Sequence, residues 1–140
     1  MFSSNPLNES SHSFPVLEAF HLVGMICGVG TAALMNLSLI SSDILPRSPS
    51  KLWRATWLVT LAGVTLAIGS GLMLFSIDPE LYFNNTVFRI KLLVLVLALT
   101  FYYTLVRRAA ARDQRAVIVA SISLILYALV PLAGIFIGYK

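Results

Sequence analysis

The amino-acid sequence predicts an all-α protein, a bundle of four transmembrane helices in one domain. First, the chain of 140 residues is 58% hydrophobic and only 11% charged, whereas soluble domains contain about 25% charged residues. Second, four apolar runs cover about residues 14–40, 52–77, 86–106 and 117–138, and each is long enough for a helix of ~20 residues to cross a bilayer. Third, the runs lack the polar–apolar alternation of transmembrane β-barrels. We therefore expect the lipid bilayer to be the main partner of this chain.

The first run has a face of small and polar residues that predicts contact with other helices. At 3.6 residues per turn, this face contains Glu18, His21, Gly24, Met25, Gly28, Ala32, Met35 and Asn36. The opposite face has larger apolar residues, such as Leu22 and Ile26, which suit lipid. The spacing Gly24-x-x-x-Gly28 lets two helix backbones approach closely, either in a dimer or inside one bundle. We expect the contact inside the bundle.

The other three runs carry comparable faces. The aligned positions of the second run are Thr56, Thr60, Gly63, Ala67, Ser70 and Gly71. Those of the third run are Asn84, Phe88, Lys91, Leu95, Ala98 and Tyr102. Those of the fourth run are Ala120, Ser123, Tyr127, Pro131, Gly134 and Gly138. Four such faces predict that the helices pack around a common interior.

The charges of the loops predict the orientation of the chain. The loops after the first and third runs are basic and contain Arg47, Lys51, Arg54, Arg107, Arg108, Arg112 and Arg115. The loop after the second run contains Asp78 and Glu80 instead. By the positive-inside rule, both basic loops are cytoplasmic and both termini lie outside. Membrane orientation therefore accounts for the net charge of +4, and we expect no binding to nucleic acid.

Two ionisable residues of the inner faces are the candidate site. His21 lies six residues after Pro15, which places it ~9 Å into the outer leaflet at ~1.5 Å per residue. Lys91 lies five residues after Thr86, so it reaches the same half of the bundle from the third run. We expect the site to be lined by Gly24, Gly71, Tyr127 and Gly134.

Structural roles for the same residues stay open at this point. Lys91 can extend to the membrane surface or pair with Glu18, and His21 can form a hydrogen bond with Ser70 or Tyr127. An ionisable group at the centre of a membrane helix costs ~2.5–3.5 kcal/mol on insertion scales, and such residues are functional candidates by default.

Several short motifs resemble a family of small uncharacterised bacterial four-helix membrane proteins. The motifs are His21-Leu-Val-Gly24, Asn36-Leu-Ser-Leu39, Gly69-Ser-Gly-Leu-Met-Leu-Phe75, Asp78-Pro79, Tyr82 and Asn85-x-x-Phe88-x-x-Lys91. Asn36-Leu-Ser-Leu39 departs from this family, which has an acidic and a basic residue in that motif. The resemblance covers residues from about 19 to 95, and it implies a multi-pass protein of the bacterial cytoplasmic (inner) membrane.

A more distant resemblance is to the copper-resistance D membrane domain and to HemJ-type protoporphyrinogen oxidase. In the HemJ type, a histidine of the first helix and a lysine before an apolar run are implicated in binding haem b. His21 and Lys91-Leu-Leu-Val-Leu-Val-Leu97 match that pattern. Tyr102 or Tyr103 stands where the HemJ type has another histidine, so the resemblance extends to the haem pocket rather than to the oxidase reaction.

Two functions are therefore expected. In the first, the chain is an integral membrane protein of unassigned activity that binds haem b or a similar cofactor in the outer half of the bundle, with His21 as a ligand of a haem iron and Lys91 as the partner of a propionate or a second ligand. In the second, the chain is a non-catalytic accessory subunit that packs against a larger membrane complex or against itself. Substitution of Lys91 by Met distinguishes them, because it abolishes the pigment in the first case and is nearly silent in the second.

Overall fold

The predicted all-α fold is confirmed. The computed structural model describes residues 12–41, 43, 48–112 and 116–137, and these residues contain helices and no strand. In chain order the helices are α1 (Ser13–Ile40), α2 (Pro49–Ile77), α3 (Pro79–Phe83), α4 (Thr86–Phe101), a π-helical turn (Tyr102–Val106), α5 (Arg107–Ala111) and α6 (Val117–Ile137). The segments from Thr86 to Ala111 form one continuous rod, called the third rod below. Within these described ranges, α1, α2, the third rod and α6 are long and apolar enough to cross a membrane.

The helix ends differ from the predicted ones where local sequence favours a longer helix. α2 begins at Pro49, because proline has no N–H to leave unpaired in the first turn and its φ already suits a helix. The third rod continues beyond residue 106 through Arg107–Ala111, since arginine and alanine are strong helix formers. The predicted end of the fourth helix at residue 138 lies outside the described residues, as do Arg47, Asp113 and Arg115 of the loops.

α3 is a short helix that the sequence analysis did not predict. Asp78 begins it, because its side chain accepts a 3.2 Å hydrogen bond from the backbone N–H of Leu81. Asn85 begins α4 in the same way and accepts from the N–H of Val87 at 2.9 Å. Both caps lie in the connection between the second and third membrane spans, and each fixes the start of the helix that follows it.

Glycines bring α1 and α2 into backbone contact. A Cβ atom added to Gly24 would lie 2.5 Å from the backbone N of Ala67 and 2.7 Å from the carbonyl O of Gly63. A Cβ added to Gly28 would lie 3.0 Å from Val64. The Gly24-x-x-x-Gly28 spacing is thus used inside this chain, as expected.

The four spans form two close pairs, α1 with α2 and α4 with α6, and α1 also packs on α6. In the described chain, α4 makes no comparably extensive contact with α1 or α2. α2 instead meets the third rod at α5, near the end of the bundle that carries the basic loops. The interval between α2 and α4 is therefore less tightly filled than the rest of the bundle.

Two aromatic clusters bridge this interval, one toward each end. The outer aromatic cluster consists of Phe75, Tyr82 and Phe88, with Phe75 and Phe88 stacked at 5.7 Å between ring centroids. The inner aromatic cluster consists of Trp53, Tyr102, Tyr103 and Tyr127. The candidate site lies between the two clusters along the helices.

Most of the predicted inner faces are buried. The fully buried predicted positions are Gly24, Gly28, Ala32, Met35, Asn36, Thr60, Gly63, Ala67, Ser70, Ala98, Tyr102, Ala120, Ser123 and Tyr127. Glu18 and Asn84 are exposed, so their assignment to the interior was wrong. Both lie at the outer end of the bundle, and Asn85 is buried in place of Asn84 because it caps α4.

Candidate functional site

The imidazole of His21 is anchored to the backbone of α2. Its Nδ1 atom lies 2.7 Å from the carbonyl oxygen of Ala67. Since a carbonyl oxygen only accepts hydrogen bonds, Nδ1 is the protonated nitrogen and Nε2 keeps its lone pair. Ser70 Oγ lies 3.3 Å from the same Nδ1, and it donates its own hydrogen to the carbonyl of Leu66 at 2.6 Å. These contacts therefore favour the Nδ1-protonated tautomer whenever the His21 ring is neutral.

Gly71 makes room for this contact. A Cβ atom at position 71 would lie 3.1 Å from Cε1 and 3.4 Å from Nδ1 of His21. The carbonyl of Ala67 lies four residues earlier on α2, about one helical turn away and on the same face as Gly71. A residue with a side chain at position 71 would thus push the ring away from the carbonyl that orients it.

Lys91 approaches the opposite side of the site from α4. Its side chain lies against α6, where a Cβ added to Gly134 would be 3.3 Å from Nζ. Its exposed neighbours Ile90 and Leu92 face away from the bundle.

The predicted pair between Lys91 and Glu18 is not formed in the described part of the chain. Glu18 is exposed at the outer end of α1, whereas Lys91 lies against Gly134 of α6.

The two candidate side chains belong to different helix pairs. His21 is bonded to α2 within the α1–α2 pair, and Lys91 touches α6 within the α4–α6 pair. His21, Lys91, Gly71 and Gly134 are each only partly buried. The site thus lies along the less tightly filled interval, bounded on its outer side by the outer aromatic cluster.

The other two predicted lining residues, Gly24 and Tyr127, make close contacts within the protein. The space beside Gly24 is filled by the backbone of Ala67 and Gly63. Tyr127 packs edge-to-face on Tyr102 at 5.4 Å, within the inner aromatic cluster. The structure thus brings His21 to Gly71 and Lys91 to Gly134, and it packs Gly24 against Ala67, the residue to which His21 is bonded.

Two contributors to the site were missed in the sequence. The carbonyl of Ala67 leaves no signal in the sequence, because every residue type carries the same backbone acceptor. The outer aromatic cluster left one signal, the aromatic residues Phe75, Tyr82 and Phe88 near the start and end of the acidic loop. Partial burial raises the pKa of Tyr82, and the charges of Asp78 and Glu18 raise it further.

The two side chains of the site that could bind a metal, His21 and Lys91, offer nitrogen atoms as ligands. Among the described residues there is no group of three His, Cys, Asp or Glu side chains that would hold a bare metal ion. Cys27 is a free thiol on α1, where its Cβ contacts Gly63. A single imidazole with an available lone pair can instead bind a metal that another group already holds, such as the iron of a porphyrin.

Comparisons of the chain with protein-family models, with curated proteins and with solved structures gave no match.

Proposed function

We propose that this chain is a small multi-pass protein of the bacterial cytoplasmic membrane that binds haem b between His21 and Lys91. The observation that carries the proposal is the hydrogen bond from Nδ1 of His21 to the carbonyl of Ala67. Histidines that ligate a metal usually donate their other ring N–H to a carbonyl or carboxylate, which fixes the tautomer and increases the basicity of the ligating nitrogen. His21 has this arrangement with Ala67.

Each residue of the site has a separate task in this proposal. His21 offers Nε2 to the iron, and Gly71 allows the ring to stay bonded to Ala67. Lys91 supplies a positive charge for a propionate carboxylate. Apolar side chains on the facing helices surround the macrocycle and exclude water, as in other helical bundles that hold cofactors. When bound, haem b supplies an iron centre that accepts and donates one electron.

The partial burial of both side chains supports this assignment. Ionisable side chains inside a membrane bundle commonly mark a functional site, and a site must stay open to its ligand. Here each is anchored to its own helix pair, and neither is closed over by protein. The orientation with both basic loops in the cytoplasm, predicted from charge, puts this site in the outer half of the membrane.

The test is an absorption spectrum of the protein purified in mild detergent, recorded with and without dithionite. We expect a Soret band that moves on reduction. It should vanish in His21→Ala and weaken strongly in Lys91→Met. His12→Ala and Lys51→Met are the matched controls, because both residues lie outside the site, and both variants should keep the band.

Two results would contradict the proposal. One is a protein that stays colourless when it is expressed with excess haem. The other is a band that survives in His21→Ala or disappears equally in His12→Ala. Either result would favour the second expected function, an accessory subunit, and affinity purification from detergent-solubilised membranes would then identify the complex that contains it.

A further inference from the structure

A cleft lies between α2 and the third rod, at the end of the bundle that carries the basic loops. It is lined by Trp53, Trp57, Leu61, Tyr103 and Arg107, and its volume is ≈ 320 Å³. This volume falls within the roughly 300–1,000 Å³ range of pockets that hold small molecules. The cleft is distant from His21 and Lys91, which lie toward the opposite end of the bundle.

The geometry of both helices creates the cleft. Trp53, Trp57 and Leu61 follow one another at intervals of four residues, so they share one face of α2. Across from them, the third rod contains the π-helical turn, whose hydrogen bonds span five residues instead of the four of an α-helix. Trp53 contacts two adjacent tyrosines of this turn, Tyr102 at 5.1 Å and Tyr103 at 5.9 Å between ring centroids.

The charge at the end of the cleft indicates the chemistry of its occupant. Arg107 is exposed and begins α5, directly after the π-helical turn. Its guanidinium offers a planar set of donors that matches the oxygens of a phosphate. The remaining lining is apolar and aromatic, and tryptophan and tyrosine favour the headgroup level of a bilayer. A cation above an apolar wall fits a molecule with an anionic head and an apolar tail.

We propose that this cleft binds one phospholipid with a negatively charged headgroup. Its phosphate pairs with Arg107, and an acyl chain lies along Trp57 and Leu61. A helix from another protein is a poorer fit, because it would need a carboxylate placed opposite Arg107, whereas a phospholipid carries its phosphate at the headgroup level. In the predicted orientation this lipid belongs to the cytoplasmic leaflet.

Tryptophan fluorescence gives a direct test, because Trp53 and Trp57 are the two tryptophans of the chain. The full-length protein is reconstituted into phosphatidylcholine vesicles that contain a minor fraction of either brominated phosphatidylglycerol or brominated phosphatidylcholine. Bromine on an acyl chain quenches a tryptophan that it touches. The ratio of the two quenching curves gives the relative binding constant of the anionic lipid at the cleft.

We expect phosphatidylglycerol to bind about fivefold more strongly than phosphatidylcholine, which corresponds to about 1 kcal/mol for one basic residue at a lipid surface. Arg107→Ala should bring the ratio close to one. Arg108→Ala is the matched control: this exposed neighbour does not line the cleft, so the ratio should stay near the wild-type value.

Three outcomes would overturn the proposal. Equal quenching by the two lipids in the wild-type protein would show that the headgroup is not recognised. Equal loss of the preference in Arg107→Ala and Arg108→Ala would show a general attraction of the basic loop. Weak quenching by both lipids would show that the cleft is closed to acyl chains. The wild-type comparison decides the first and third outcomes even if a variant fails to fold.

Discussion

Nδ1 of His21 donates a 2.7 Å hydrogen bond to the carbonyl oxygen of Ala67, across the contact between α1 and α2. The bond selects one tautomer of a neutral imidazole and leaves Nε2 as the available lone pair. It also ties the candidate ligand to the best-packed helix pair of the bundle. The orientation of His21 is thus a property of the fold, and it can be tested in the absence of any cofactor.

Gly71→Ala should release His21 from Ala67. The added Cβ would lie 3.1 Å from Cε1, and loss of one hydrogen bond is worth about 1 kcal/mol. We therefore expect the Nδ1-protonated tautomer to lose about fivefold in relative population. Nitrogen NMR of histidine-labelled protein in detergent micelles measures the tautomer ratio directly.

Gly69→Ala is the control for this experiment, because a Cβ at position 69 has nothing within 4 Å. The tautomer ratio should be unchanged in this variant. If Gly71→Ala also left the ratio unchanged, the glycine would not be what admits the imidazole, and the positioning role of Gly71 would be wrong.

Gly24→Ala should destabilise the bundle. The new Cβ would lie 2.5 Å from the backbone N of Ala67, so α1 and α2 would have to separate, at a cost of about 1–3 kcal/mol. Thermal unfolding in detergent, followed by circular dichroism, should show a lower Tm. Gly30→Ala, which meets nothing within 4 Å, should keep or slightly raise the Tm. Equal Tm values for the two variants would contradict the backbone contact.

The sequence predicts the four spans and most of the buried positions, because hydropathy and helical periodicity depend on side chains alone. It also predicts that His21 and Lys91 lie in the same half of the bundle. It cannot predict that Ala67 accepts a hydrogen bond from His21, because the acceptor is a backbone group. Nor does it predict the π-helical turn at Tyr102–Val106, where Trp53 packs against two consecutive tyrosines. Local caps explain the remaining differences, at Pro49 and Asp78.

Asn36 and Ser123 should show a measurable coupling between α1 and α6. Nδ2 of Asn36 donates a buried 3.0 Å hydrogen bond to Oγ of Ser123. Such bonds between membrane helices average about 0.6 kcal/mol and reach about 1.7 kcal/mol. A double-mutant cycle with Asn36→Ala and Ser123→Ala, measured by unfolding in SDS, should give a coupling energy in this range. Strictly additive effects of the two substitutions would contradict the bond.

Tyr82 should ionise above its ordinary pKa of 10.0, because partial burial and the charges of Asp78 and Glu18 disfavour the phenolate. An absorbance titration of wild-type protein minus Tyr82→Phe isolates this phenol. Asp78→Asn should lower its midpoint toward 10, since it removes a negative charge beside the ring. A midpoint at or below 10 in the wild-type protein would contradict the packing of Tyr82 in the outer aromatic cluster.

Tyr127→Phe should not lower the stability of the bundle. The ring of Tyr127 is almost fully buried, and its hydroxyl has no hydrogen-bond partner among the described residues. A buried unpaired polar group costs about 1–3 kcal/mol, so removal of the hydroxyl should keep the Tm or raise it. Tyr127→Leu should lower the Tm, because it also removes the edge-to-face contact with Tyr102 at 5.4 Å, worth about 0.5–1.5 kcal/mol. A large loss of stability in Tyr127→Phe would instead mean that the hydroxyl is bonded inside the membrane, and a buried water molecule beside Tyr102 and Tyr127 would then be the partner to look for.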